Sequence, residues 1–487
     1  MGQSPESQFY NNQGNGLPFF QGKSEFRERY PEIKKWCSQP TKIAKAGDII
    51  LSVRAPVGPT NITPAESCIG RGLAAIRGLP SINQLYLFYH FRHIESWLSE
   101  QGTGSTFSAI SGQFVRQTTF NVAPNAEQTR IVTKLEELLS DLDAGVTELK
   151  AAQKKLTQYR QSLLKAAVEG RLTAQWRADR ARRGEPTETG AQLLQRILQE
   201  RRIRWETQQR AKFIAQGKTP PQGWQSKYSE PVKPDTTDLP ELPEGWVWAS
   251  LDMLGEIASG VAKGTKHKAE VAVREISYLR VANVQRGFLD LSEVKTIFAT
   301  EKDISELTLK SGDILFNEGG DRDKLGRGWV WRNEIETCIH QNHVFRVRPY
   351  LSATLPELIS HHGNTFGKTW FQTAGKQTTN LASINMTMLR MFPVPLAPAL
   401  EQEEILSQIQ QQLMALDDQE LAVNFSLQQS AAQRKNILRA AFSGQLVPQD
   451  PSDEPASVLL ERIRAERSAH SSEKNPRGRK RKTEITV

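Results

Sequence analysis

The chain has 487 residues, 38% of them hydrophobic, and a mean hydropathy of −0.51, which predicts several compact units with much exposed surface. No apolar run reaches the roughly 18 residues that a membrane span needs, and the first residues lack a signal pattern, so we expect a cytoplasmic protein that makes no membrane contact. The net charge of +9 and the pI near 9.3 suit a polyanionic partner such as a nucleic acid.

Residues 1–122 predict a strand-rich mixed module, because short β-branched runs such as residues 48–53 are separated by Gly, Pro and Asn turns. Residues 123–175 predict a long helix that begins after Pro124 and ends at Gly170, a plausible C-terminal cap. Its leucines recur every seven residues, which is a coiled-coil seam. The seam consists of Leu135, Leu142, Leu149, Leu156 and Leu163.

Residues 176–241 predict a linker, with an Arg-rich helix around residues 193–215. The Pro-rich stretch 219–243 should be extended and poorly packed. Residues 242–396 predict a second strand-rich module, with β-branched runs at 276–281 and 343–347. Residues 397–447 predict a second long helix capped at Gly444, and residues 448–487 a C-terminal helix and a basic, solvated tail. The second seam consists of Ile409, Leu416, Val423 and Ile437.

The chain contains an internal repeat. Residues 123–128 (APNAEQ) recur at 397–402 (APALEQ), and residues 160–172 recur at 434–446, both 274 positions later. Residues 188–201 resemble 454–467 at an offset of 266. Upstream, residues 45–51 pair with 310–316, Cys68-Ile69 with Cys338-Ile339, and residues 75–77 with 345–347. Several matches in one order indicate a duplicated unit with pseudo-twofold symmetry.

The two long helices are predicted to pack on each other. Each apolar stripe contains two residues in seven, and a stripe this narrow is typical of a coiled coil. A helix of about 42 residues is about 60 Å long. An antiparallel pair would place the two modules at opposite ends of a rod. The alternative, that each helix packs on its own module, requires a wider stripe.

No catalytic or metal-binding residue is predicted. Residues 363–369 (GNTFGKT) are one residue short of a phosphate-binding loop, whose geometry depends on that length. Four histidines, His340, His343, His361 and His362, lack a carboxylate or Cys at metal-ligand spacing, so we expect exposed or base-contacting side chains. The three cysteines (Cys37, Cys68 and Cys338) are far apart, which disfavours a zinc site.

The sequence closely resembles the specificity subunit of type I restriction–modification systems, over almost the whole chain. The resemblance rests on short motifs in a fixed order. Each motif by itself is weak evidence, and their order makes them specific. They are residues 14–22, 47–58, 163–167, 242–248, 312–317, 341–346 and 437–441.

The resemblance implies an α+β fold in which two strand-rich target-recognition domains are separated by two long antiparallel helices. Each domain would read half of a split site in double-stranded DNA. The chain would be non-catalytic and bind no cofactor. Two methyltransferase subunits would use S-adenosylmethionine, and two restriction subunits would use ATP and Mg, so that the complex is a type I site-specific deoxyribonuclease and an adenine-specific DNA methyltransferase.

The first domain differs from the second at its start. The second module opens with residues 242–246, which end 14 residues before Gly260. Because Gly260 aligns with Gly2, the first domain is expected to be shortened at its N-terminus.

DNA-contacting residues are predicted from chemistry, since Arg, Lys, Asn and Gln on loops are the usual readers of bases and phosphates. In the first module the candidates are Gln3, Ser4, Lys23, Arg54, Arg71, Thr103, Ser105 and Thr106. In the second they are Lys263, Lys266, Lys268, Arg322, Lys324, Arg327, Gln377, Thr378 and Asn380.

Two other functions account for parts of the sequence. A non-catalytic coiled-coil adaptor without DNA specificity explains the heptads but not the duplicated modules or the basic charge. A cryptic nuclease or methyltransferase would require that the purified chain alone cleave or methylate DNA, and the sequence has no Asn/Asp-Pro-Pro-Tyr/Phe methyltransferase motif.

Overall fold

A computed structural model describes residues 1–103, 108–262, 264, 271–320, 324–374, 376–377 and 382–473. The contacts divide the chain into two compact units. Unit 1 comprises Met1–Ala152 and Ala422–Val487, and unit 2 comprises Gln153–Leu421. Both combine helices with small sheets, so the fold is α+β as predicted.

The strands of unit 1 are β1 (Tyr10–Asn11), β2 (Leu17–Phe20), β3 (Trp36–Cys37), β4 (Ile43–Ala44), β5 (Ile49–Ser52), β6 (Thr60–Ile62), β7 (Ser67–Ile69) and β8 (Leu73–Ile76). They form sheets of order β1-β3-β2-β7-β4 and β6-β5-β8.

The helices up to the second module are α1 (Gln84–His93), α2 (Glu95–Glu100), α3 (Gly112–Gln117), α4 (Asn125–Val168), α5 (Ala174–Arg183) and α6 (Gly190–Ala215). The strands of unit 2 are β9 (Val247–Ser250), β10 (Gly255–Ala258), β11 (Val273–Leu279), β12 (Lys295–Thr300), β13 (Ile314–Asn317), β14 (Gly319–Gly320), β15 (Gly328–Val330), β16 (Cys338–His340), β17 (Val344–Pro349), β18 (Lys376–Gln377), β19 (Ala382–Ser383) and β20 (Pro393–Leu396).

The remaining helices are α7 (Leu251–Leu254), α8 (Glu301–Leu307), α9 (Pro356–Asn364), α10 (Phe366–Ala374), α11 (Met386–Met391), α12 (Ala399–Phe442) and α13 (Ala456–Glu473). The sheets of unit 2 have the orders β10-β17-β13-β15, β12-β11-β16, β14-β19-β18 and β20-β9.

Corresponding strands of the two units have the same pairing. The parallel pair β2–β7 places Phe20 opposite Ile69, and the parallel pair β11–β16 places Leu279 opposite His340. The sequence alignment that matched Ile69 with Ile339 is therefore wrong by one residue. The same shift matches Arg77 with Arg348 instead of Val347, and Ile76 with Val347. A one-residue slip of this kind moves every side chain of a strand to the other face.

The corrected register brings out a buried ion pair that occurs in each unit. Asp48 accepts hydrogen bonds from Arg77 and from the backbone N–H of Lys45 at 2.8 Å. Asp313 does the same with Arg348 and the N–H of Lys310, at 2.7 Å. Each aspartate follows a glycine with positive φ and directly precedes an inner strand of its sheet, β5 or β13, so the motif fixes how the chain enters the sheet.

The two long helices, α4 and α12, have 44 residues each and begin and end 274 positions apart. Gly170 and Gly444 follow them with φ of 69° and 74°, which makes both glycines left-handed caps as predicted. Near the start of each helix a buried glutamine binds two backbone groups. Gln128 joins Asn83 N–H to Ala123 O, and Gln402 joins the N–H of the residue before α9 to Ala397 O.

Each unit contains one half of α4 packed against one half of α12. In unit 1 an apolar cluster includes Leu135 and Leu139 of α4, Ile437 and Phe442 of α12, and Tyr86 of the module. Unit 2 has a corresponding cluster around Ala167, Ile405 and Ile409. The helices therefore contact both each other and the modules. Leu142, Leu149 and Leu156, in the middle of the first seam, are half-buried.

The linker is more ordered than its composition predicts. Proline-rich residues 219–243 contain a 3₁₀ turn at Trp224–Lys227, and the Trp224 side chain is buried and stacked on Trp205 of α6. Val232 N–H donates to Asp252 at 3.0 Å. The prediction of poor packing is thus wrong at Trp224, whose ring finds aromatic partners on α6, while most of the stretch is exposed. Among the described residues, no helix is long and apolar enough to cross a membrane.

Candidate DNA interface

In unit 1, the loop after β5 presents Arg54. Val53 donates to Gly72 O at 2.9 Å and accepts from Ile110 N–H at 3.0 Å, which ties the loop to two other segments. Arg54 itself forms a backbone bridge with Ala109, and Thr103 bridges to the same residue. Arg54 and Thr103, predicted separately from sequence, are thereby brought together with exposed side chains.

Three further candidates meet at the end of β7. Gln3 donates its N–H to Ile69 O at 3.0 Å, and Arg71 donates its N–H to Ser4 Oγ at 3.2 Å. The next residue, Gly72, lies so close to the backbone that an added Cβ would be 2.4 Å from Gln21 O, so the glycine is required there. Gln3 and Arg71 are exposed. Since Gly72 also binds Val53, this group is continuous with the Arg54 loop.

Lys23 lies in a 3₁₀ turn directly after the strand β2 and the Gln21–Gly22 corner. The turn is held by the Glu25 carboxylate, which accepts from Gly22 N–H at 3.1 Å. Lys23 is exposed. It completes what we call the basic face of unit 1, which consists of Gln3, Ser4, Lys23, Arg54, Arg71 and Thr103.

The cations of the basic face differ from three other arginines of the module. Arg27, Arg29 and Arg77 bind Glu32, Glu136 and Asp48 respectively. Lys23, Arg54 and Arg71 form no ion pair with any residue that the structure describes. Residues 1–122 contain twelve Lys and Arg against eight Asp and Glu. Exposed cations without an acidic partner are suited to an external anion such as a phosphate.

Unit 2 repeats the backbone of this face with different side chains. Ile384 N–H donates to Glu318 O at 2.8 Å, as Ile110 does to Val53, and Gly319 pairs with Ser383 as Arg54 pairs with Ala109. Ser383 and Ala109 are 274 positions apart, like the long helices. The position of Arg54 is thus taken by a glycine, so the two units offer different chemistry on the same backbone.

Arg327 is held beside a hairpin that sequence analysis missed. Its guanidinium donates to Gln285 Oε1 at 2.9 Å, and its carbonyl accepts from Asn317 N–H at 2.8 Å. The hairpin turns at Gly287, with φ of 89°, and its tip residue Phe288 is 56% exposed. A glycine in the short stretch between the apolar residues Val284 and Phe288 was the available signal. Lys324 is half-buried close by in sequence.

The histidine prediction is largely wrong. His340, His361 and His362 are buried, with exposures of 0%, 6% and 2%. Burial lowers the pKa of each to about 4. His362 Nε2 lies 2.9 Å from Pro393 O, so the ring is part of the core and does not face DNA. Only His343 is exposed, where it binds Glu318.

The other predicted positions are not placed. Ser105, Thr106, Lys263, Lys266, Lys268, Arg322, Thr378, Asn380 and residues 476–482 lie outside the described residues, and for Gln377 only the backbone strand is described. Within the described ranges, no group of three or more His, Cys, Asp or Glu side chains is arranged to hold a metal ion.

The chain is similar to proteins that determine the DNA specificity of type I restriction enzymes. Residues 3–155 match the family model described as the type I restriction modification DNA specificity domain. The putative type I restriction enzyme MjaX specificity subunit of Methanocaldococcus jannaschii is 39% identical over 139 residues, 28% of this chain and 33% of that protein. This chain therefore spans only a third of that relative.

Other similarities extend over most of the chain. The type I restriction enzyme EcoDI specificity subunit of Escherichia coli is 23% identical over 462 residues, which cover 92% of this chain and 90% of that protein. A crystal structure of the HsdS subunit from Thermoanaerobacter tengcongensis is 16% identical, covers 90% of this chain and 91% of that one, and has a TM-score of 0.48.

Proposed function

We propose that this chain, which belongs to the specificity subunits of type I restriction–modification systems, reads a two-part sequence in double-stranded DNA. The observation that carries the proposal is the duplicated face. The same backbone arrangement after β5 and after β13 presents different side chains, Arg54 in one unit and Gly319 in the other. Two similar frameworks with different surfaces are what a reader of two different half-sites requires.

In unit 1 the basic face supplies both kinds of DNA contact. Arg71 and Arg54 can each reach a phosphate or form a bidentate pair with guanine O6 and N7. Gln3 has the donor and acceptor that adenine recognition needs, while Ser4 and Thr103 can donate to phosphate oxygens. In unit 2 we assign the same role to Arg327 and to the hairpin tip at Phe288, which can contact a thymine methyl.

We assign residues 1–122 and 242–396 to the two target-recognition domains, and residues 123–175 and 397–447 to the helices that join them. The chain has a non-catalytic role in this proposal. Two methyltransferase subunits supply adenine methylation with S-adenosylmethionine, and two restriction subunits supply ATP- and Mg-dependent cleavage. The relatives' names as specificity subunits of restriction enzymes support this division of labour.

The direct test is the methylome of cells that express the chain with its methyltransferase partner. Methylated adenines are expected in a single bipartite motif with a fixed gap. Exchanging residues 242–396 for those of another specificity subunit should change only one half of the motif. Methylation without a common motif would contradict the proposal.

A second experiment separates DNA reading from a scaffold role. In the reconstituted complex, binding to a duplex with the motif should exceed binding to a scrambled duplex by about 10³ or more at physiological salt. An adaptor without DNA specificity predicts equal affinities. Cleavage or methylation by the purified chain alone would instead indicate an enzyme.

A further inference from the structure

Unit 2 has a counterpart of Arg71, which the backbone hydrogen bonds identify. Residues 70–73 follow β7 and residues 341–344 follow β16. The first N–H of each segment donates to the last residue of the neighbouring parallel strand, at 2.8 and 2.9 Å. The N–H of the fourth residue then donates to the carbonyl of the first, at 3.0 and 2.8 Å. Asn342 is therefore the second residue of its turn, as Arg71 is of the turn in unit 1.

The third residues of the two turns give the same match. Gly72 O accepts from Val53 N–H at 2.9 Å, and His343 O accepts from Glu318 N–H at 3.0 Å. In unit 1 the carbonyl of the residue after β2 excludes a side chain at Gly72. The corresponding carbonyl after β11 belongs to a turn at residues 280–283, where it accepts an N–H at 2.8 Å. Unit 2 thus places a histidine where unit 1 requires a glycine.

Glu318 fixes the orientation of the His343 ring. An ionised carboxylate can only accept a hydrogen bond, so the Nδ1 atom of His343 that contacts Glu318 carries the hydrogen. The other ring nitrogen, Nε2, lies on the far side of the ring, 3.5 Å from the amide nitrogen of Asn342. The His343 side chain is 55% exposed. The imidazole is therefore an exposed ring in a fixed orientation, whose Nε2 makes only a long contact within the protein.

The Asn342 side chain contributes little to the fold, although its backbone is fixed. Its N–H donates to Val261 O at 2.9 Å, and its carbonyl accepts from Ser259 Oγ at 3.1 Å. The amide has only the long contact with His343, and Oδ1 is buried without a hydrogen-bond partner among the described residues. A buried acceptor without a donor costs free energy, so rotation of this amide toward an outside donor is favourable.

The matched positions differ in chemistry between the units. Unit 1 offers Arg71, a cation that suits phosphates and guanine. Unit 2 offers an amide and an imidazole, and both groups contain a donor and an acceptor. Asparagine recognises adenine because its amide accepts from the N6 amino group and donates to N7.

We propose that Asn342 and His343 read bases in the second half-site, with Glu318 as the positioning residue of the imidazole. Asn342 pairs with an adenine, and His343 Nε2 contacts the neighbouring nucleotide. The inference rests on the DNA-reading function proposed above and identifies the residues of unit 2 that select the sequence.

The test is the methylome of cells that express the full chain with its methyltransferase partner. Asn342→Ala should relax one A·T position in the half of the motif that changes when residues 242–396 are exchanged. Methylation of sites with a wrong base there should rise at least about 5-fold, the lower limit for one bidentate base contact. Continued methylation of the original motif shows that the variant folds and assembles. Relaxation at no position would overturn the proposal, and relaxation at a G·C pair would refute the pairing with adenine.

Arg71→Ala is the control that is matched in position, because it removes the side chain at the same backbone position of unit 1. It should leave every base requirement of the second half as it is. Asn342→Arg places the unit 1 side chain in unit 2 and should shift the preference at the relaxed position from A·T toward G·C. Relaxation of the same half by Arg71→Ala and Asn342→Ala would contradict the assignment of the two residues to different half-sites.

Two substitutions of Glu318 test its positioning role. Glu318→Ala releases the imidazole and should relax specificity as His343→Ala does, with no further effect when the two are combined. Glu318→Gln keeps an oxygen that accepts from Nδ1 and should retain most of the specificity. Unchanged specificity in Glu318→Ala, together with relaxation in His343→Ala, would refute the positioning role.

The same experiment separates this inference from the function on which it rests. A methylome of the unaltered chain without a bipartite motif would contradict the DNA-reading function itself. A bipartite motif that none of the Asn342 and His343 variants relaxes would contradict only the assignment of these residues.

Discussion

Arg160 of α4 donates a hydrogen bond to Asp417 of α12. The reciprocal pair, Asp143 of α4 with Arg434 of α12, is the same interaction with the helices exchanged, because Arg434 follows Arg160, and Asp417 follows Asp143, by 274 positions. A heptad seam alone does not decide between parallel and antiparallel pairing. The duplicated ion pair is formed only in the antiparallel arrangement and therefore favours it.

Reversing one charge of this pair should lower stability slightly, and reversing the second charge should restore it. Arg160→Asp is expected to lower the free energy of unfolding by about 0.5–1 kcal/mol, since the side chains are 33% and 59% exposed and solvent screens them. Combining it with Asp417→Arg should recover most of the loss. Urea denaturation of the wild type, the two single variants and the double variant measures this coupling in a double-mutant cycle. A double variant that loses as much unfolding free energy as the two single variants together would contradict the prediction.

The buried aspartates should differ in their contributions although they belong to one motif. Asp313→Asn leaves Arg348, only 21% exposed, without its carboxylate, so a loss of about 3–5 kcal/mol is expected. Asp48→Asn should cost less, about 1–3 kcal/mol, because Arg77 is 52% exposed and can be solvated. Denaturant unfolding of both variants measures the two losses. Equal losses would contradict this prediction and show that the backbone contact, which is nearly the same in both motifs, dominates.

The buried histidines predict acid sensitivity, chiefly in unit 2. Their pKa values are lowered from 6.5 to about 4, so between these pH values the unfolded chain binds protons and the folded chain does not. The contribution of the neutral histidines to the free energy of unfolding is therefore fully present above pH 6.5 and decreases as the pH falls toward 4. Each histidine adds about 1.4 kcal/mol per pH unit to the slope.

Removing one of these histidines tests the assignment. His361→Phe is expected to reduce the slope of unfolding free energy between pH 6.5 and 4 by about one histidine's share, because burial alone shifts the His361 pKa. Unfolding curves at several pH values give the slope. An unchanged slope would show that His361 takes up its proton in the folded protein.

The basic face predicts a measurable difference between two arginines of unit 1. Arg71→Ala should weaken DNA binding by the reconstituted complex, either for all duplexes with a salt slope smaller by about 0.9, or at one base by about 1–3 kcal/mol. Arg27→Ala is the matched control, because Arg27 is also exposed but pairs with Glu32. Equal affinities for the two variants would remove Arg71 from the interface.

Only part of the candidate site could be predicted from the sequence, because the rest depends on contacts between segments that are far apart in the chain. Gln3, Ser4 and Arg71 were predicted as loop residues, but their proximity depends on the parallel pairing of β2 with β7. The hairpin tip at Phe288 was missed because its role depends on Arg327, 39 residues later. Proximity between distant segments has no local pattern in the chain.

The sequence by itself determined the features that have a pattern along the chain. These are the length and caps of α4 and α12, the seven-residue seams, and the 274-residue offset. These follow from helix periodicity and from glycine's freedom to adopt positive φ. The tertiary structure alone decided the strand register, the burial of the histidines and the docking of Trp224. Burial and pairing are set by what lies opposite a residue, and that partner is usually far away in sequence.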